Sequence, residues 1–176
     1  TVESLFFSPI KQSVAKNILG LSQRRPIILF VSSGGINDER KGWDLLKRAL
    51  PKVSSEYKGL TVLLVGPAPS NETKRRLAAS TTAHVVWFGN ARSSEELRLL
   101  YNAADVTVVP SRQDNLPLVA MEAQACGCPV VGFDVGGLPD IVLRGVTGGI
   151  AEPLSTEDLG RSLLEVLETK PRSASR

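Results

Sequence analysis

Short apolar runs alternate with longer amphipathic stretches along most of the chain. Pro26–Val31, Leu60–Val65, Val85–Phe88, Val106–Val109 and Val130–Phe133 are dense in Val, Ile, Leu and Phe. Continuous runs of this kind predict strands buried on both faces. A further short strand is predicted near Gly149–Ala151. The stretches between them carry helix signals. Ser8-Pro9 and Gly20 bracket a periodic run to Leu19, with the polar cap, first-turn Pro and terminal Gly in their preferred places. An amphipathic helix is expected from about Gly42 to Tyr57, bent or interrupted by Pro51. Ser70 caps a basic helix through about Ser80, and Ser93 or Ser94 caps one carrying Leu97, Leu99, Leu100 and Tyr101. Leu116–Cys126 and Leu138–Leu143 read as shorter helices. Ser155–Asp158 offers a capping box for a last helix ending near Glu168.

Strand–helix alternation with apolar strands means βαβ units, a parallel sheet and helices on both of its faces. The fold class expected is α/β: a three-layer α/β/α, Rossmann-like domain with a parallel sheet of about six strands. Residues 1–22 read as a linker and short helix, 23–169 as the domain itself and 170–176 as a polar tail. Ligands of such sheets bind beyond the C-terminal strand ends, where the strand order reverses. The loops after strands one, three, four and five are therefore the informative ones.

Composition removes several alternatives. At 176 residues the chain is long enough for one self-sufficient core, and 42% hydrophobic with 22% charged residues is ordinary for a globular protein. Aromatic residues make up only 5%, which disfavours a stacking platform for single-stranded nucleic acid; no nucleic-acid partner is expected. The net charge of +3 helps an anionic small molecule approach without identifying one. Two cysteines, Cys126 and Cys128, and one histidine, His84, supply neither a disulfide framework nor a four-ligand metal site, so no metal is assigned. The cysteines read as small packing residues in a reducing compartment and His84 as a strand-end residue. With no signal peptide or membrane-length apolar stretch, cytoplasmic exposure is the default. The first residue is not Met, which suggests an excised piece.

The chemistry concentrates in Pro110–Gly137, PSRQDNLPLVAMEAQACGCPVVGFDVGG. Glu122 stands among Leu118, Val119, Ala120, Met121, Ala123, Ala125 and Cys126, and an ionised group on so apolar a helix is costly unless something binds it. It lies roughly 7–8 Å along the axis from a helix start near Pro117. Asp114 precedes that helix, and Pro117 near its start leaves the amides of Asn115, Leu116 and Leu118 free for a diphosphate. Two carboxylates and a helix N-terminus thus suit a ligand with hydroxyls at both ends and phosphate between. Plainer readings stand beside these: Asp114 as a helix cap, Glu122 as the partner of an arginine. After strand one, Gly34 and Gly35 permit close backbone approach, and Arg40 and Lys41 are placed to meet a phosphate. Asn90, Ala91 and Arg92 follow strand three and can present backbone groups to a flat ring. Gly136-Gly137 forms a tight turn after strand five.

The segment resembles the C-terminal half of GT-B-fold glycosyltransferases of the group 1 or family 4 type. These carry an E-x7-E motif within PS-x-x-E-G-x-G-L-x-x-x-E-A-x-A-x-G-x-P-V-V, followed by GG, and the likeness spans nearly the whole chain, from Leu5 through the last helix. The resemblance implies that Glu122 binds the ribose hydroxyls of a nucleotide and that Asp114 faces the donor sugar. It places Asn115, Leu116, Pro117 and Leu118 at the diphosphate, Lys41 as the phosphate contact of a K-G motif, and Asn90, Ala91 and Arg92 at the base. Asp114 and Lys41 would be the catalytic pair.

Two departures stand out. The first glutamate is Asp114, one methylene shorter and followed by Asn115 instead of Gly. An arginine common six residues before the matched lysine is Gly35 here; either Arg40 supplies that charge from next door or phosphate binding is weaker.

The resemblance further implies retaining transfer of a sugar from a UDP- or GDP-linked donor, without a required cofactor, by a hexosyltransferase of polysaccharide or glycoconjugate synthesis. The acceptor, a glycan or lipid-linked sugar, would bind through an N-terminal domain missing here. The isolated domain would then be inactive, and the full-length protein would make a peripheral membrane contact. A stand-alone nucleotide-sugar-binding or regulatory module and a nucleotide-sugar epimerase of the same fold are the alternatives.

Overall fold

β1 (Ile27–Val31) lies inside a six-stranded parallel sheet ordered β3-β2-β1-β4-β5-β6. Its companions are β2 (Thr61–Val65), β3 (His84–Gly89), β4 (Val106–Val109), β5 (Val130–Phe133) and β6 (Gly148–Ala151). The structure is a computed structural model describing residues 6–169; the expected tail at 170–176 and residues 1–5 of the expected linker lie outside the described residues. The helices are α1 (Gln12–Ile18), α2 (Trp43–Glu56), α3 (Asn71–Ser80), α4 (Ser94–Ala103), α5 (Leu118–Ala125), α6 (Leu138–Ile141) and α7 (Thr156–Thr169).

Apolar strands in a parallel sheet need cover on both faces, and two clusters supply it. On one side Ile28, Phe30, Val62, Leu64, Val106 and Val108 pack against Leu46, Leu50 and Val53 of α2 and Leu159 and Leu163 of α7. On the other, Ile27, Leu29, Leu63, Val109 and Val130 meet Leu100 and Tyr101 of α4, Ala120 and Ala123 of α5, and Phe7 from the N-terminal segment. This is the expected three-layer α/β/α arrangement.

Several local expectations need correction. Ser8 does not cap α1, which begins at Gln12 with Lys11 at the cap position and no side-chain cap bond. Ser8 is instead held by Arg98, whose Nη2 donates to its Oγ at 2.7 Å. Pro51 does not break α2, which runs unbroken through it. The missing N–H faces an exposed side, where water can satisfy the orphaned carbonyl at little cost. α5 begins at Leu118, two residues later than expected, with Pro117 outside it as the cap residue. In the last helix Ser155 Oγ accepts from Asp158 N–H at 3.2 Å, but the Asp158 carboxylate turns to the amide of Glu152 instead of closing the box. Ser70 and Ser93 do cap α3 and α4.

The N-terminal segment is tied to the body by a buried ion pair. Lys16 of α1, only 3% exposed, donates to Asp105 Oδ2 at 3.5 Å and to the Arg25 carbonyl at 3.2 Å. Asp105 also accepts from the amide of Ile27 at 2.8 Å, which joins this clamp to the start of β1.

Candidate functional site

Strand order reverses between β1 and β4, and a crevice opens at their C-terminal ends. It is lined by Phe30 and Val31 at the end of β1, Val109, Pro110 and Ser111 after β4, and by Lys41, Asp114 and Val119. Such a switch point is where open α/β sheets take ligands. Two glycines set its shape. Gly42, with φ +68°, packs so tightly that a Cβ there would lie 1.8 Å from the Pro110 carbonyl oxygen. Gly136, with φ +56°, leaves the same room for the Asp114 carbonyl, where a Cβ would sit at 2.0 Å. Only glycine fits either place, and the two contacts bring three loops onto one edge.

Lys41 and Asp114, which the sequence pattern assigned to one ligand, touch each other. Lys41 Nζ donates to Asp114 Oδ2 at 2.8 Å, with the side chains 29% and 17% exposed. Asp114 is therefore not the cap of α5. Its backbone is fixed as well, since its carbonyl accepts from Gly137 N–H at 3.1 Å. Arg112, to which the sequence reading gave no role, clamps the two loops together. Its guanidinium grips Asp44 at 2.7 and 2.8 Å and holds the Asp44 carboxyl below its usual range. Its Nη1 also reaches the Glu39 carbonyl, and its amide donates to Arg40 O.

Beyond Asp114 the amides of Asn115, Leu116, Leu118 and Val119 donate to no acceptor among the described residues. Free N–H groups at the start of α5 carry the positive end of its dipole toward the crevice rim. Leu116 and Leu118 expose their side chains there, whereas Pro117 is buried. Ser111 Oγ in the crevice wall, and Ser32 Oγ just after β1, are buried with no hydrogen-bond partner among the described residues.

Glu122 lies about 6 Å into α5 by helical rise. It is half-buried, and no cation among the described residues pairs with it. Its partner is a phenol: Tyr101 OH donates to Glu122 Oε2 at 2.7 Å. Burial pushes the Glu122 carboxyl above its ordinary range, and the hydrogen bond from Tyr101 opposes that shift. The arginine partner of the plainer reading is absent among the described residues, and Oε1 accepts no bond from them. The sequence reading missed Tyr101 as a site residue, although a lone phenol in the apolar stretch of α4 must find an acceptor once buried.

Other predicted residues are already engaged. Arg40, offered to a phosphate, is held by Asp38 through Nε at 3.1 Å and Nη2 at 3.0 Å, and this lowers the Asp38 carboxyl. Its guanidinium is otherwise exposed. Gly35 is buried with φ +64°, and a Cβ there would approach the Pro67 carbonyl to 2.9 Å; an arginine at this position would be strained. Gly35 lines a second, shallower hollow with Ile36, Gly66, Pro67 and Trp87 beyond β1 and β2. Asn90, Ala91 and Arg92 follow β3 as placed, but the Arg92 amide and guanidinium are both taken by Glu96, at 2.7 and 2.6 Å. Of that loop, Asn90 and Ala91 retain backbone groups to offer. Cys126 and Cys128 are buried, and burial pushes the Cys126 thiol up to about 11, which makes it a packing group.

The chain is similar to known proteins over nearly its whole length. The family described as "Glycosyl transferases group 1" matches residues 25–169. The D-inositol 3-phosphate glycosyltransferase of Mycolicibacterium smegmatis is 37% identical over 176 residues, spanning 97% of this chain and 39% of the relative. The chain therefore spans about two fifths of the length of this curated relative. Among solved structures, the sucrose-phosphate synthase of Thermosynechococcus elongatus superposes with a TM-score of 0.75 at 29% identity, over 94% of this chain and 41% of that one. HepE of Anabaena, solved in complex with UDP and glucose, gives a TM-score of 0.75 at 22% identity, over 97% and 46%, a likeness of fold.

Proposed function

The chain belongs to the group 1 glycosyltransferases, and on that premise we propose that it is the donor-binding part of an enzyme that moves a sugar from a nucleoside diphosphate to an acceptor with retention. The observation that carries this reading is Glu122: a half-buried carboxylate with no cationic partner among the described residues, one oxygen held by Tyr101 and the other open. A pair of ribose hydroxyls satisfies such a group, and water alone leaves it poorly solvated. Lys41 and the amides of Asn115, Leu116, Leu118 and Val119, unpaired among the described residues, lie on the same edge and suit the diphosphate.

Breaking the anomeric C–O bond places positive charge on the sugar and negative charge on the departing diphosphate. Lys41 and the start of α5 are preorganised to stabilise the negative part, so no charge needs to move into place as the bond breaks. Asp114, on the sugar side of Lys41, accepts hydroxyls of the donor. Asn90 and Ala91 offer backbone groups to the base, and the donor is UDP- or GDP-linked. Residues 23–169 form the nucleotide-sugar domain. The acceptor, a glycan or lipid-linked sugar, docks through a further domain that carries the remaining catalytic groups. The whole protein works in the cytoplasm, with a peripheral contact to the membrane. Among the described residues no helix is long and apolar enough to cross a membrane.

Calorimetry with UDP, GDP, UMP and uridine tests the site. A diphosphate that binds at least ten-fold more tightly than its nucleoside is the expected result. Equal, millimolar affinity for all four would remove the reading.

A further inference from the structure

Within the donor-site reading just given, on which this step rests, we infer that Tyr101 is a positioning residue that selects ribonucleotides by orienting Glu122. Tyr101 is fully buried, so its hydroxyl cannot touch the ligand. What it can do is hold one carboxylate oxygen, Oε2, at 2.7 Å. Burial and the adjacent Glu122 charge push the phenol far above its ordinary range, which keeps it protonated and donating at any working pH. A glutamate side chain has three rotatable bonds, and on a half-exposed helix face it samples several rotamers. With Oε2 fixed, Oε1 is presented in one direction and keeps both lone pairs for vicinal hydroxyls.

The phenol is itself braced from outside the sheet. Phe7 meets its ring edge-on, with centroids 6.0 Å apart and planes at 64°. The segment carrying Phe7 is pinned to the same helix: Arg98 Nη2 donates to Ser8 Oγ at 2.7 Å, and Asn102 Oδ1 accepts from Ile10 N–H at 2.6 Å. The N-terminal segment, α4 and the hydroxyl-binding carboxylate therefore form one connected stack. Nothing of this brace contacts the crevice around Lys41 and Asp114, so it bears on the ribose end alone.

The test uses calorimetry with UDP and GDP and with their 2′,3′-dideoxy forms. Wild type is expected to favour the ribonucleotide by about ten-fold or more, the loss typical of unpaired hydrogen-bonding groups. Tyr101→Phe, which removes only the hydroxyl, should weaken the ribonucleotide about five- to ten-fold and leave the dideoxy form within two-fold. Should Tyr101→Phe fold poorly because it leaves Glu122 underserved, the same change in a Glu122→Ala background removes both partners of the bond; there it should alter neither affinity by more than two-fold. A proportional loss for both nucleotides in Tyr101→Phe, or an undiminished ribose preference, would overturn the inference and leave the donor site standing. So would a further loss of ribonucleotide affinity when Tyr101→Phe is added to Glu122→Ala. A wild type blind to the ribose hydroxyls would instead remove the Glu122 assignment, and the inference with it.

Discussion

Lys41 and Asp114 form an ion pair 2.8 Å long that closes the gap between the loop after β1 and the loop after β4. In the proposed reaction these two groups face opposite charges: Lys41 the diphosphate, Asp114 the sugar. The pair fixes Lys41 before the donor arrives, but it also sets a carboxylate close to incoming phosphate oxygens. Like charges about 4 Å apart cost on the order of 1 kcal/mol even in water. Asp114→Asn should therefore raise the affinity for free UDP or GDP by about three- to ten-fold while lowering the preference for the sugar-linked form. Competition calorimetry of nucleotide against nucleotide sugar reads both changes.

Lys41→Ala should act in the other sense and on the phosphate alone. Losing one charge-assisted hydrogen bond costs about 1.5–3 kcal/mol, which is roughly ten- to a hundred-fold in diphosphate affinity. Uridine or guanosine binding should stay within two-fold. Equal losses for nucleoside and diphosphate would argue against the phosphate role.

The framework of this site was readable from residue order. Runs such as Ile27–Val31 and Val106–Val109 are too apolar for anything but a doubly covered strand, and the ends of β1 and β4 then place Lys41 and Asp114 together. What sequence order did not carry was side-chain pairing across loops. Arg40 looked free but is taken by Asp38, and Arg92 by Glu96, because a nearby carboxylate competes with any ligand for a guanidinium. The partner of Glu122 was missed for the same reason: Tyr101 lies on another helix, and only packing of α4 against α5 joins them. Pro51 was misjudged because its cost depends on whether the affected carbonyl faces water, which is settled by tertiary packing.

Glu122 should be a liability for the fold. Burial raises its carboxyl above the ordinary value, so as pH rises through the carboxylate range the unfolded chain ionises there first and folding loses stability. Below that range the penalty vanishes. Glu122→Gln keeps an acceptor for Tyr101 and loses the charge, and it should melt above wild type at pH 7. A gain on the order of 1 kcal/mol would raise the midpoint by roughly 2–4 °C in a domain of this size. The gap should close as pH falls below about 4. Thermal melts across roughly pH 3–8, about one unit either side of those values, provide the check.

Asp105 should matter to stability and not to the ligand. Removing it leaves the buried ammonium of Lys16 with the Arg25 carbonyl but no counter-charge, and takes the acceptor from the amide of Ile27. Breaking a buried pair from one side costs on the order of 3 kcal/mol. Asp105→Ala should lower the denaturant midpoint accordingly and leave nucleotide affinity unchanged at temperatures where it is folded. A lost affinity in the folded variant would mean that the N-terminal clamp reaches the crevice.

The most direct measurement is the calorimetric affinity of Glu122→Ala for UDP and GDP set beside that of wild type, with circular dichroism to show that the variant is folded. A hydroxyl-binding carboxylate at this position predicts a fall of at least ten-fold for whichever nucleotide wild type binds. Affinity within two-fold of wild type in a folded Glu122→Ala protein would contradict it.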